Sequence, residues 1–435
     1  MRDSFLPFSP PLIGADAVSE VVNTLRSDWI TTGPKVTRFE RAFAHYTGAE
    51  AALAVASATD AMHVGLAALG VGEGDAVLTT PMTFCSTVHV IEHLGAAPIL
   101  VDVDPDTLNV DPTQVAQAAH DLAQGGVAAQ KWVPRTLRPA APDLQPSAFN
   151  LTALLPVHLY GHPCDMDALI DVARDHHLAV VEDAAHALPA AYKGCLIGSS
   201  SRDRRAEPET SPRSHAQEQP PCQRLTAFSF YATKNMTTGE GGMLTGPPDL
   251  IEEARVWSLH GMSRDAWRRY SAQGSWYYEV VLPGFKCNMT DIQASLGIHQ
   301  LRKLPRFQQR RREIARQYTE AFSRVEAIQT PTRRPEVRHA WHIYAIRLHL
   351  DRLTIDRGRF IQKLNQRKIG TSVHFIPVHL HPYYRDKYGY EPDDFPVAYR
   401  EYQRLVSLPI YPRMDDRDVA DVIEAVTDVV EEHRR

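Results

Sequence analysis

No excess of positive charge runs through this 435-residue chain: 47 Lys and Arg face 52 Asp and Glu, a formal net charge of -5. An acidic balance offers no general footprint for nucleic acid, so an anionic ligand must be met by cations placed locally. Paired cysteines are missing too. Cys85, Cys164, Cys195, Cys222 and Cys287 are scattered, with no CxxC pair and no zinc-type spacing. An odd, unpaired set reads as a reducing compartment rather than as a disulfide or zinc framework. No apolar run is long enough to span a bilayer, and Met1 to Pro10 lacks the apolar core of a secretory signal. These absences make a cytoplasmic protein the expectation, with no nucleic-acid or membrane partner and no metal site. Hydrophobic residues make up 43% and charged residues 23%, which leaves enough apolar side chains for an ordinary globular core.

Periodicity organises that core. Val18, Val21, Val22 and Leu25 predict a helix over 15–27, and Val36, Phe39, Phe43 and Tyr46 a second one stopped at Gly48. Trp29 to Pro34 between them is a turn segment. Short apolar runs then appear at 76–79, 97–103, 153–159, 178–182 and 225–230, with helical patterns near 60–70, 111–123 and 165–176. Strand–helix alternation of this kind predicts an α/β fold with a mostly parallel sheet. A long charged helix begins near Thr290, followed by a strand at 341–348, a helix near 357–368, a strand at 371–376 and a helix at 416–432. The expected organisation is a large α/β domain over 1–289 and a smaller C-terminal α/β domain over 290–435. Two stretches, 124–148 and 199–224, read as low-complexity insertions. The second has almost no large apolar side chains to offset its ordering entropy. A surface loop and a lid over the site are the two readings of it.

Four motifs carry chemistry. In Phe228 to Gly242 an apolar strand delivers Ser229, then Lys234, then a glycine cluster. A lysine beside a tight turn can be desolvated, which lowers its pKa and favours the nucleophilic amine. A solvated lysine at a strand end accounts for the same residues. In Leu178 to His186 a buried strand ends in Glu182 and Asp183, and sites in parallel sheets lie at the carboxyl ends of strands. An acid there can hold a pyridine nitrogen protonated. Neighbouring residues on a strand point to opposite faces, so Asp183 is taken for the site and Glu182 for the other face. His186 reads either as a ring neighbour or as a core histidine. Ala56 to Met62 is a small-residue turn opening a helix, suited to cradling a phosphate or simply to capping by Thr59 or Asp60. Pro81 to Thr87 carries Phe84, which can stack on a planar cofactor or sit in the core.

In this order the motifs resemble those of the DegT/DnrJ/EryC1/StrS sugar aminotransferases. So do Trp29-Ile-Thr-Thr-Gly-Pro34 and Gly284-Phe-Lys-Cys-Asn-Met-Thr-Asp-Ile-Gln293, and the match runs nearly end to end. The resemblance implies the pyridoxal 5'-phosphate (PLP) dependent aspartate-aminotransferase fold, type I. It implies Lys234 as the lysine that bonds the cofactor, Asp183 facing the pyridine nitrogen, Phe84 stacked on the ring and His186 close to it. Ala58, Thr59 and Ser229 would hold the phosphate. Asn288 would reach the cofactor phosphate of a neighbouring subunit, which implies a homodimer with shared sites. Lys286 and Asn288 resemble the Lys-x-Asn form of a motif that is Asn and Arg in many relatives. The substrates implied are glutamate and a nucleotide-linked keto-sugar, with Thr32, His374 and His379 as candidate acceptor contacts. A PLP-dependent sugar dehydratase of the same fold is one rival, and relatives with that chemistry can carry histidine in place of the lysine. A non-catalytic regulatory paralogue is the other, and it would be expected to lack Lys234 or Asp183.

Overall fold

The computed structural model describes residues 2–138, 149–200, 222–263 and 277–435. The first half alternates as its periodicity predicts. Helices α1 (Ala15–Leu25) and α2 (Pro34–Thr47) precede β1 (Ala51–Val55), α3 (Ala58–Ala68), β2 (Asp75–Thr79), α4 (Ser86–His93) and β3 (Ala97–Leu100). Then come α5 (Pro112–Gln124), α6 (Gly126–Gln130), β4 (Asn150–Leu154), α7 (Met166–Asp175) and β5 (Ala179–Asp183). The small strands β6 (Ala191–Tyr192) and β7 (Cys195–Leu196) lead to β8 (Arg224–Ser229), β9 (Gly242–Gly246) and α8 (Pro248–Ser258). Pro34 starts α2, where a missing N–H costs nothing, and Gly48 ends it in the left-handed conformation at φ 78°.

Seven strands form the main sheet in the order β1-β9-β8-β5-β4-β2-β3. Pairing is parallel from β8 through β5, β4 and β2 to β3, and antiparallel only where β9 enters. The parallel strands are buried on both faces, as continuous runs such as Val180-Val181 require. One apolar layer lies on each side, the first around Phe39, Phe43, Phe228 and Phe230, the second around Leu53, Met62, Leu66 and Leu225.

The second half is built from α9 (Asp291–Phe322), β10 (Ile328–Gln329), β11 (Val337–Arg338), β12 (Tyr344–Leu348), α10 (Arg357–Gln366), α11 (Pro382–Tyr388), α12 (Pro396–Arg404), β13 (Leu405–Leu408) and α13 (Asp416–Glu432). A capping box between Thr290 and Gln293 starts α9. Its first turns put Ala294, Ile298 and Leu301 into the core of the main sheet. Its last turns put Ile314, Tyr318 and Phe322 into a separate core beneath the sheet β10-β12-β13. Among the described residues no helix is long and apolar enough to cross a membrane.

Several expectations need correction. The predicted strand at 371–376 is not formed. Only Ser372 exchanges hydrogen bonds with Ser407, at 3.1 and 2.8 Å, and Pro377 lacks the N–H that would extend the ladder. The stretch at 124–148 is not featureless. Its described part folds as α6 and a turn that bury Ala129 and Val133, while the Trp132 indole N–H donates to Asp121 at 2.8 Å. The strand predicted at 341–348 begins at Tyr344, because Trp341 has φ 48°, outside the extended region. In the run at 153–159 the regular strand ends at Leu154, a bridge from Val157 to Asp183 continues the pairing, and the chain turns at Leu159–Gly161. Strands β1, β9 and β13 are only four or five residues long, the first two rich in small residues, and periodicity missed them. Most of the 199–224 insertion, 201–221, lies outside the described residues, and so does the choice between loop and lid.

Phe43 packs edge-on against Phe228 and Phe230, with centroids 5.1 and 5.5 Å away. Phe43→Ala should destabilise the fold by about 3–5 kcal/mol. Urea unfolding checks this, and a loss below about 1 kcal/mol would mean the layer repacks freely.

Candidate active site

Strand direction brings the motifs together. β5 and β8 run parallel and end at Asp183 and Ser229, so both side chains emerge at the same edge of the sheet. α3 starts at that edge too. Between them lies a cavity of about 540 Å³, walled by Ala58, Thr59, Phe84, Asp183, His186, Ser229, Lys234 and His374 among others. Another cavity of about 590 Å³ lies by Asp102, Trp132 and Tyr390. None of the motif residues line it, and its Arg135 is already paired with both carboxylate oxygens of Asp394.

Asp183 is buried, and burial pushes its carboxyl pKa up. Two donors and the through-space effects of Lys234 and His158 oppose that rise. The Ala185 N–H donates to Oδ1 at 3.0 Å, the Thr87 hydroxyl donates to Oδ2 at 2.8 Å, and the Lys234 ammonium acts through space. Burial brings Lys234 down to about 8, with Asp183 pulling the other way. A fraction of this lysine is therefore neutral amine near pH 7, unlike an exposed lysine. His186 sits well below the usual imidazole range because of burial and is neutral. The Tyr160 N–H donates to its Nδ1 at 3.3 Å, so the proton sits on Nε2. Phe375 stacks on the His186 ring at 5.6 Å and 16°. Phe84 stands at the rim, 58% exposed despite its apolar ring.

Glu182 faces away, as alternation predicts. It meets His158 Nε2 at 2.8 Å and accepts from the Thr226 hydroxyl at 3.1 Å on the opposite side of the strand.

At α3 the Ser57 side chain takes the Asp60 N–H at 3.0 Å. The N–H groups of Ala58 and Thr59 lie in the first turn of the helix, where no intrahelical acceptor is available. Gly242 lets β9 pass against this turn. A Cβ there would stand 2.3 Å from the Ser57 carbonyl carbon and 2.7 Å from the Ala58 nitrogen.

Three predicted contacts stand apart. Asn288 pairs with Val55 as an isolated bridge and donates to the Thr32 hydroxyl at 2.5 Å, while Thr32 donates to the Met289 carbonyl at 2.6 Å. Neither lines this chain's own cavity. His379 also lies outside the cavity, fully buried against Phe395, with Nε2 3.3 Å from the Pro392 carbonyl. Of the histidine-bearing stretch only His374 reaches the cavity, where burial lowers it to about 4. Sequence reasoning missed His342, Phe375 and Thr83, which also line it. Thr83 and Thr87 lay in a quoted motif at helical spacing, a readable signal. His342 gave none, since its place depends on how the second half docks.

The family model of the DegT/DnrJ/EryC1/StrS aminotransferase family matches residues 11–427. The spore coat polysaccharide biosynthesis protein SpsC of Bacillus subtilis is 46% identical over 431 residues, covering 99% of this chain and 98% of that one. Among solved structures, Spr1654 of Streptococcus pneumoniae, described as a candidate sugar aminotransferase, superposes in its PMP form with a TM-score of 0.81 at 33% identity. It covers 98% of this chain and 99% of that one, and its PLP form gives 0.80 at 32%. DesV of S. venezuelae, in complex with a ketimine intermediate, gives 0.77 at 29%, again covering 98% and 99%.

The cradle makes a direct test. Gly242→Ala must push β9 away from the backbone of α3's first turn, so phosphate-bearing cofactor should bind at least roughly tenfold more weakly. Fluorescence titration of the apo protein with PLP measures this. Unchanged affinity would remove α3 from the binding site.

Proposed function

The chain belongs to the DegT/DnrJ/EryC1/StrS aminotransferase family, and on that premise we propose that it moves an amino group from glutamate to a nucleotide-linked keto-sugar, a 4-keto-6-deoxy sugar, for amino-sugar biosynthesis. It is a PLP-dependent sugar aminotransferase of the aspartate-aminotransferase fold, type I. The observation that carries the site reading is the sharing of one cavity by Lys234, Asp183 and the first turn of α3.

The residues fit PLP. The free N–H groups of Ala58 and Thr59, with the Ser229 hydroxyl, suit the phosphate. Asp183 suits the ring nitrogen, Phe84 one ring face, and Lys234 the aldehyde. Bound there, PLP supplies an electron sink for the charge left when a proton leaves the substrate carbon. Lys234, once released from the cofactor, takes that proton and returns it as general base and acid. A pKa near 8 suits both duties near neutral pH. Neutral His186 offers its Nε2–H to the cavity without adding a second positive charge. His374 is held through Nδ1 by the Ser407 hydroxyl group at 2.9 Å, which leaves Nε2 for the acceptor.

A homodimer with shared sites belongs to the same proposal. Val18 and Leu25 of α1, with Trp29 and Ile30 after it, are exposed apolar side chains on one stretch of surface. A second copy covering them would bring Asn288 towards the partner's cofactor phosphate. The proposed division at residues 289 and 290 keeps the main sheet in one domain and α9 with the smaller sheet in the other.

Two measurements test this reading. In the apo protein, the reactive amine of Lys234 should grow as pH rises through about 8, because burial lowers the lysine pKa. The rate of PLP loading should therefore climb to a plateau above that pH, and borohydride should leave the label on Lys234. A label on another lysine would end the assignment. In a substrate panel, glutamate-dependent turnover should appear with a nucleotide 4-keto-6-deoxy sugar. Free monosaccharides should be poor acceptors, because the binding energy of the nucleotide is then missing. Turnover of ordinary 2-keto acids alone would refute the sugar acceptor and leave the PLP chemistry standing.

A further inference from the structure

Thr83 lies in the turn before α4 and Thr87 in the first turn of that helix, four positions on, and both are buried. Their hydroxyl oxygens are 2.7 Å apart, and Thr87 Oγ1 is 2.8 Å from Asp183 Oδ2. A threonine hydroxyl has a single hydrogen. A carboxylate only accepts, so the hydrogen of Thr87 is committed to Asp183. Thr83 must then donate to Thr87, and the pair forms a one-way chain of hydrogen bonds, Thr83 to Thr87 to Asp183. Donation by Thr83 polarises the Thr87 hydroxyl and strengthens its bond to the carboxylate.

We infer that Thr87, backed by Thr83, is a positioning residue that keeps Asp183 in its charged form and aims Oδ1 and Oδ2 at the cavity. This rests on the reading that Asp183 faces the ring nitrogen of PLP.

The surroundings of Asp183 explain why such a device is needed. Burial favours the neutral acid, and only a few groups resist it. From β8's side comes Lys234, whose own charge is weakened by burial. The His158 ring approaches from the segment after β4, but its Nε2 is engaged with Glu182. The Cys164 thiol, raised well above its usual range, brings no positive charge. Glu182 lies on the other face of the strand. Of the two hydrogen bonds given to the carboxylate, one is the Ala185 N–H, from the backbone two residues on, and the other is Thr87. Thr87 is thus the side-chain donor, carried by a different element 96 positions away. If it were lost, the shared proton between ring nitrogen and carboxylate would move towards Asp183, and the ring would be a weaker electron sink.

The test uses the holoenzyme loaded with PLP labelled with nitrogen-15 at the ring nitrogen. In the wild type the nitrogen resonance should have the pyridinium value. In Thr87→Val, which keeps the shape, it should move towards that of unprotonated pyridine. A bond to a charged acceptor of this kind shifts the proton equilibrium by roughly ten- to a hundredfold. Thr87→Ser should restore the wild-type resonance, and Thr83→Val should move it in the same direction by a smaller amount. A wild-type resonance in folded Thr87→Val, or a Ser variant as shifted as the Val variant, would overturn the inference. If Thr87→Val does not fold, Thr83→Val decides, since it leaves Thr87 in place. Asp183→Asn separates the two readings. A resonance unmoved in that variant refutes the placement of Asp183 itself, whereas a resonance moved there but not in Thr87→Val refutes only the role of Thr87.

Discussion

Desolvation of Lys234 and Asp183 in one cavity wall is the constraint on which the site depends. Each charge alone would be costly to bury. They attract each other through space, yet no hydrogen bond or ion pair joins them in the described structure. Direct pairing would satisfy both and leave neither free to meet a ligand. The fold instead satisfies Asp183 with donors from α4 and from its own following turn, and lets Lys234 lose part of its proton affinity. Burial therefore raises the Asp183 carboxyl only against the resistance of those donors, and it leaves Lys234 partly neutral near pH 7.

The sheet makes this arrangement possible. Parallel pairing of β5 and β8 puts their carboxyl ends side by side, which is why a residue of one strand and the lysine after the other share a cavity. Alternation along β5 divides its two carboxylates between two environments. Asp183 turns to the site. Glu182 turns to the opposite face, where Arg224 pairs with it at 3.4 Å and His158 and Thr226 hydrogen-bond to it. The antiparallel entry of β9 departs from the parallel order of the sheet, and it brings Gly242 against the backbone where α3 begins. A chain with a side chain at that position could not close the cradle.

The second half contributes less chemistry and more shape. α9 ties the two cores together, and the segment around His374 and Phe375 closes one side of the cavity. Arg311, buried in α9, holds the carbonyls of Trp341, His342 and Ile410 through Nη1 at 3.1, 3.2 and 2.7 Å. That anchorage sets the backbone from which His342 reaches the site.

The residues themselves determined the α/β alternation, the stop at Gly48, the capped start near Thr290 and the division between Asp183 and Glu182. All of these follow from periods and caps that act within a few positions. The motifs around Ala58, Phe84, Asp183, Ser229 and Lys234 were legible for the same reason, because a strand end or a helix start is a local feature. Tertiary structure decided the rest. It brought His374 to the cavity and left His379 in a core, though only five positions separate them. It turned Thr32 and Asn288 towards each other, and it set Thr87 against Asp183. These outcomes depend on which strands pair and how the halves dock, and a one-dimensional pattern cannot encode contacts between segments about a hundred residues apart.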